Sequence, residues 1–570
     1  YGTSLNIVQN IMREDRVGAI FQTVSNLSVN YDIIPGLRAR VLAGIDLSDV
    51  RDRNYRPADI PVGRGTQGQA NETYRRNINW TSNATLNYNK RLSEIHNVGA
   101  LVGFEYRSVT NTNVSASTAG FASPLLKLPG SGATPSSTTS LWSAYKTAGF
   151  FGNFKYDFRD KYLASVTLRY DGSSRFGADV RYGLFYGVSG GWRISEENFM
   201  QGLEFLDDLK LRASYGVVGS QPTNNFGSLG LYGGGGAYDG APSVRPTQLA
   251  NPNLTWEESA MLNFGLDFGV FNNRVYGSVD IYKKNNTNLL LYRDLPVDSG
   301  FGSILENGGE VEAKGLDFEI TTVNIDKGDF KWSTNFNIGF VENELISLNV
   351  GDRIGTTYEV GKPLNLIQTV EWAGVNPADG RPMWYDVNGN ITYSPSDARD
   401  RKIIGDQNAD FFGGAGTNIS YKGLSLDVLF QYQYGNSSFL QAGQILEAAG
   451  SWDDNQVRSQ LDRWTTPGQV TWVPRPYYNE LEPGGAYHSG FSSRYVEEAS
   501  YIRLKQMTLN YRIPGAISSK LNVGSASVYV QAMNLATFTN YRGDDPENTG
   551  QNLNAYPNPR MITGGINLEF

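Results

Sequence analysis

Cysteine is absent, and the two histidines, His96 and His488, stand far apart in the chain. Thiol chemistry and disulfides are excluded, and a histidine-based zinc site has too few ligands. The residues left for binding are aromatic and acidic. Trp372 and Trp384 fall in one stretch without strand alternation. Trp452, Trp464, Trp472, Tyr477, Tyr478 and Tyr487 fall in the next. Flat aromatic faces stack on sugar rings and dominate the centres of protein interfaces. The alternative is that these rings pack their own loops. Asp544, Asp545 and Glu547 form an acidic group near the end of the chain. Paired carboxylates can transfer protons or bind Ca2+. This group lacks the EF-hand spacing, so capping of its own loop is the reading we favour. The glycine run at 233–236 lacks the Lys and Ser/Thr of a phosphate loop and reads as a flexible turn. No catalytic residue, metal or cofactor is expected.

A second polar set comprises Arg169, Lys210, Arg212, Asp280, Asp427 and Gln431. Each interrupts an apolar run at alternate positions, which is the period of a β-strand. At 162–170 one face carries Tyr162, Ala164, Val166, Leu168 and Tyr170, and the other Ser165, Thr167 and Arg169. From 209, Leu209, Leu211, Ala213, Tyr215 and Val217 oppose Lys210, Arg212 and Ser214. The polar faces are expected to line a hydrated interior, as a hydrophilic path or a surface for a plug. Several runs exceed the ~9–11 residues with which a tilted strand crosses a bilayer. Aromatics recur at their ends, as in the girdles of membrane barrels. One run slips phase: Ile502 and Leu504 share a face, whereas Met507, Leu509 and Tyr511 take the other. A β-bulge near Lys505 would restore the register.

No apolar run reaches the ~18 residues of a helical span, which leaves a barrel open as the way across a membrane. The mean hydropathy of −0.38 suits a barrel and a soluble β protein alike. A net charge of −8 argues against a nucleic-acid partner.

Connections decide between the two. Roughly 17 strands can be drawn, and their connections alternate short and long. Short ones lie at 32–37, 91–97, 159–161, 271–274, 326–329 and 422–423. Long ones lie at 52–72, 108–140, 171–183, 218–254, 287–308, 342–412, 435–499 and 539–559. Tight turns on one rim and long loops on the other mark outer-membrane barrels. One short connection, 193–208, is expected to hold a helical turn. The loop segment 440–464 reads as one or two short helices. The chain ends on the short-turn side in an alternating strand, with Ile566, Leu568 and Phe570 on one face as a barrel-assembly signal.

The chain resembles the SusC/RagA family of TonB-dependent outer-membrane transporters of Bacteroidota. The residues that carry the likeness are LKLRASYGVVGSQ (209–221), NPNLTWEES (251–259), FNNRVYGSVDIYKKNNTNLLL (271–291), NGGEVEAKGLDFEI (307–320), YIRLKQMTLNYRIP (501–514) and VYVQAMNLATFTNYRGDDPE (528–547). The resemblance implies an all-β transmembrane antiparallel barrel of about 22 strands with a plugged lumen. It implies import of an oligosaccharide or peptide, a SusD-like surface lipoprotein as partner, and energy from the TonB complex. A glycan is preferred on loop aromatics alone. Residues 1–570 read as the C-terminal portion of such a barrel, with the N-terminal plug and first strands outside this chain. The competing readings are a passive porin or adhesin barrel and a soluble all-β carbohydrate-active protein.

Overall fold

The computed structural model describes residues 7–349, 351–355, 357–396, 398–451, 455–477, 491–548 and 557–569. Seventeen strands form one antiparallel sheet. In chain order they begin with β1 (Asp15–Ile34), β2 (Leu37–Arg56), β3 (Gln69–Ser93), β4 (His96–Ala119) and β5 (Thr134–Phe158). β6 (Tyr162–Ser173), β7 (Tyr182–Arg193), β8 (Leu206–Ser220), β9 (Glu257–Val270), β10 (Val275–Thr287) and β11 (Glu310–Lys327) follow. The last six are β12 (Phe330–Ser347), β13 (Phe411–Tyr421), β14 (Leu424–Tyr434), β15 (Tyr501–Arg512), β16 (Ser525–Thr539) and β17 (Met561–Glu569). Each strand hydrogen-bonds to its predecessor in the chain, a pure meander.

The alternation of connections holds along most of the meander; the short side also carries two longer bridges, 194–205 and 513–524, and 174–181 on the other side is brief. Residues 35–36, 94–95, 159–161, 271–274, 328–329 and 422–423 make tight turns. Two of them use left-handed residue pairs, Arg159–Asp160 and Lys422–Gly423, whose twist matches that of the flanking strands. The opposite ends are joined by 57–68, 120–133, 174–181, 221–256, 288–309, 348–410, 435–500 and 540–560. Four of these loops are clearly shorter than expected, at 57–68, 120–133, 174–181 and 348–410, because the strands beside them run further.

The helical turn expected within 193–208 is of the 3-10 kind and short, Ile194–Glu196. The amides of Glu197, Met200, Leu203 and Leu206 each bond the carbonyl three residues back. The segment is therefore a staircase of tight turns, which suits a short bridge containing Gly202. The segment at 440–464 does hold two short helices, Gln441–Leu446 and the 3-10 helix Arg458–Asp462. The bulge falls at Lys505: the pairing of β15 with β14 and with β16 skips between Leu504 and Gln506.

By packing, the chain divides into two units, Tyr1–Gly191 with Ser214–Met261 and Asn286–Gly309, and Trp192–Ala213 with Leu262–Asn285 and Glu310–Phe570. In the first unit β3 and β5 each have 25 residues. At about 3.3 Å per residue such a strand runs some 80 Å, far beyond an apolar band of ~25 Å. Ion pairs fill part of the excess: Arg76 Nε bonds Asp49 at 2.7 Å, Arg51 pairs with Glu72, and Arg75 with Asp52. Within the band the two faces separate. Tyr162, Val166, Leu168 and Tyr170 of β6 are all exposed on one face. Tyr170 stacks on Tyr182 at 5.2 Å, and Phe158 on Tyr162 at 6.1 Å, at its two ends. The other face is a polar ladder, with Asn153 donating to Thr167 at 2.8 Å and Ser165 paired with Ser189 at 2.8 Å.

In the second unit the same division recurs. Phe336 stacks on Tyr432 at 6.1 Å and Phe411 on Tyr434 at 5.1 Å. Placing Arg at Leu168, mid-strand on the apolar face, is expected to cost ~2–4 kcal/mol in a bilayer. The neighbouring Thr167→Arg should cost a fraction of that. Reversible urea unfolding in lipid vesicles measures both, and equal costs would contradict the assignment of faces.

Candidate functional site

The polar side chains singled out from the sequence do not converge on one reactive centre. Arg169 donates to Asp171 at 2.5 Å and to Glu105 at 3.4 Å. Arg212 sits between two carboxylates, 2.8 Å from Asp267 and 3.0 Å from Asp280, and Lys210 lies 3.6 Å from Asp267. Gly265 makes this crossing possible: a Cβ there would come within 2.6 Å of the Arg212 guanidinium and 2.7 Å of Asp280. Asp427 accepts from Asn418. Gln431 donates to the Tyr501 hydroxyl at 3.2 Å. The arginine and lysine pairs neutralise one another along the sheet face and contribute ~0–1 kcal/mol each, whereas Asp427 and Gln431 meet neutral groups.

The acidic group of the last long loop has a defined task. Arg503, 2% exposed, bonds Glu547 at 3.1 Å through Nη1 and Asp545 at 2.5 Å through Nη2. Lys505 reaches Glu547 at 3.2 Å, and the Tyr501 hydroxyl donates to it at 3.1 Å. Asp545 also accepts the backbone N–H groups of Glu547 and Asn558. Burial works against its charge, but Arg503 and the two amides outweigh it and hold the carboxyl below the usual range. The carboxylates thus fasten residues 540–548 and 557–560 to β15, as capping requires. Nothing here resembles a proton-transfer pair. A second brace joins the same loop to its neighbour, with Arg542 bonding Glu447 at 2.8 Å and Glu497 at 2.7 Å.

The aromatic residues divide. Trp372 and Trp384 are buried and meet edge to face at 5.4 Å. Trp464 packs on them, its indole N–H on the Pro377 carbonyl at 2.9 Å. Trp472 touches Trp372 at 5.8 Å but remains 56% exposed. Tyr477 is half-buried, its amide bonded to Ala449. Trp452, Tyr478, Tyr487 and His488 lie outside the described residues, as does Phe570. Ile566 and Leu568 stand exposed on one face of β17, opposite Val528 and Ala526 of β16.

Arg494 and Asp400 are among the buried charges that were not singled out from the sequence. Arg494, 4% exposed, lies with its Cζ 5.0 Å from the Trp372 ring. Burial lowers its pKa from the ordinary arginine value, though a guanidinium remains charged in proteins. Asp400 is fully buried and accepts from Ser396 N at 2.7 Å, Val387 N at 3.0 Å and Arg399 Nε at 3.0 Å. The Arg399 guanidinium and the amides hold it well below the carboxylate range. No sequence periodicity marks either residue, because both sit in irregular loop.

Comparison with known proteins accounts for this arrangement of sheet and loops. Residues 9–387 match the family model described as TonB dependent receptor-like, beta-barrel. The chain belongs to this family. It is 30% identical to TonB-dependent receptor P3 of Formosa agariphila, over 96% of the chain and 58% of that protein. It is 28% identical to TonB-dependent receptor SusC of Bacteroides thetaiotaomicron, over 75% of the chain and 44% of that protein. The structure of the RagAB peptide transporter superposes with a TM-score of 0.89 at 28% identity, covering 98% of this chain and 63% of that one. The chain is thus a SusC/RagA-type outer-membrane β-barrel. It spans under two thirds of the length of the relatives it matches.

Two outcomes test the loop anchors. Arg503→Met leaves Asp545 and Glu547 without their buried partner. We expect a loss of ~3–5 kcal/mol, read as faster trypsin cleavage after Arg542. Asp400 has a depressed pKa in the folded state. Its stabilisation is complete above the ordinary carboxylate value of ~3.9 and is lost as pH falls below it. The emission of buried Trp384 should therefore shift only below about pH 4, and Asp400→Asn should shift it already at pH 7.

Proposed function

We propose that the protein containing this barrel imports an oligomeric nutrient, an oligosaccharide or a peptide, across the outer membrane. A SusD-like surface lipoprotein is its partner on the long-loop side, and the TonB complex supplies the energy. The plug and the TonB-contacting segment belong to the part of the protein outside these 570 residues. The observation that carries the reading is the likeness to the RagAB peptide transporter along 98% of the chain. Loops of this size are also more than a passive pore needs: residues 348–410 and 435–500 hold their own sheet, helices and aromatic core.

Burial of Trp372 and Trp384 weakens the argument for a glycan, because rings spent on packing are not free to stack on sugars. Trp472 and Tyr477 remain as ring contacts for either substrate. The lumen residues Arg169, Lys210, Arg212, Asp280, Asp427 and Gln431 form the hydrated wall against which the plug rests.

Deleting the gene should abolish growth on an oligomeric nutrient while sparing growth on its monomers. In cells that carry it, a protonophore should stop uptake. Uptake that continues without a proton gradient would make the protein a passive porin.

A further inference from the structure

Among the described residues Arg494 is a buried cation with no hydrogen bond at any guanidinium nitrogen. It belongs to the 3-10 helix Ser493–Tyr495. That segment is clamped to the loop strand Leu366–Val375: Val370 bridges Ser492, and the Trp372 amide donates to Ser493 Oγ at 2.8 Å. Arg494 is 4% exposed, yet neither Nε, Nη1 nor Nη2 has a hydrogen-bond partner. The Trp372 indole Nε1 lacks one too. Donors of this strength are rarely left empty when buried, since a lone interior charge is expensive.

The neighbours do not supply the acceptor. Trp372 and Tyr495 offer only ring faces, at 5.0 and 5.3 Å from Cζ. Glu447 attracts its charge, but that carboxylate makes its hydrogen bond with Arg542, at 2.8 Å. Arg503, by contrast, shows what a structural buried arginine looks like in this protein, with both Nη atoms on carboxylates. The two residues are equally buried and oppositely provided for. Trp472, exposed, is in edge contact with Trp372 on which Arg494 rests.

The geometry points to a carboxylate-binding subsite in the long-loop region, with Arg494 as the fork that grips the carboxylate and Trp372 as its wall. The guanidinium presents two parallel N–H groups, the match for a planar carboxylate. This inference rests on the import reading above and narrows its substrate to oligomers that carry an acid group. A peptide's terminal carboxylate and a uronic acid share that chemistry.

The test uses the whole protein purified in detergent, with binding followed by titration calorimetry. Tetraalanine is compared with its C-terminal amide, and trigalacturonate with its methyl ester. The acid of one pair should bind at least tenfold more tightly than its neutral partner, and which pair it is identifies the source. Arg494→Met should abolish that preference by weakening binding of the acid to the level of its neutral partner. Arg494→Lys, which keeps the charge, should restore part of it. No preference for either acid in the unmodified protein overturns the proposal, as does a preference that survives Arg494→Met. Protonophore-sensitive uptake together with no acid preference would remove this subsite and leave the import reading standing.

Discussion

Everything in this structure depends on the obligation of each strand amide to find a partner in the next strand. Hydrocarbon offers no water to an unpaired backbone group. The meander meets that obligation by pairing each strand with its predecessor in chain order. Register then fixes the two faces, since a slip of one residue would exchange apolar for polar along an entire strand. The bulge at Lys505 is the permitted exception. It absorbs one residue and lets Tyr501 and Arg503 point at the last loop while Met507, Leu509 and Tyr511 stay in phase with the exposed face.

Charge is managed by the same economy of partners. Arg212 between Asp267 and Asp280, and Arg503 between Asp545 and Glu547, each place one guanidinium against two carboxylates. The first pairing ties neighbouring strands together. The second ties a loop to a strand, and its burial makes it the stiffer of the two.

The sheet was legible because strand alternation and turn length are local properties of sequence. The strands, the tight turns such as Lys422–Gly423 and the bulge at Lys505 could all be read from residue types a few positions apart. The outer ends of β2 to β5 were misjudged because their faces turn polar beyond the apolar band, so that Asp52, Arg53 and Glu72 look like loop. The loops were less legible. Whether Trp384 packs or binds depends on residues far along the chain, and no local pattern announces that Arg494 will be buried. The acidic group near the C-terminus could be assigned to capping, but its partner Arg503 could not be chosen from the sequence.

The long loop at 221–256 shows how large excursions are made compatible with a stiff wall. Asn307 and Thr255 exchange a reciprocal pair of bonds at 2.8 Å, and Asn251 donates to the Leu305 carbonyl at 2.9 Å. Leu254 and Trp256 fill the small core beneath. These rivets close the loop near its base, so the hairpin Leu231–Tyr238 and Ala241–Gln248 hangs from a fixed platform. Its tip at Asp239 and Gly240 is left-handed and solvent-facing. Length added there lies beyond the rivets and increases closure entropy only logarithmically. The hairpin tip is thus a natural port for grafting an epitope or a reporter without disturbing the membrane wall below.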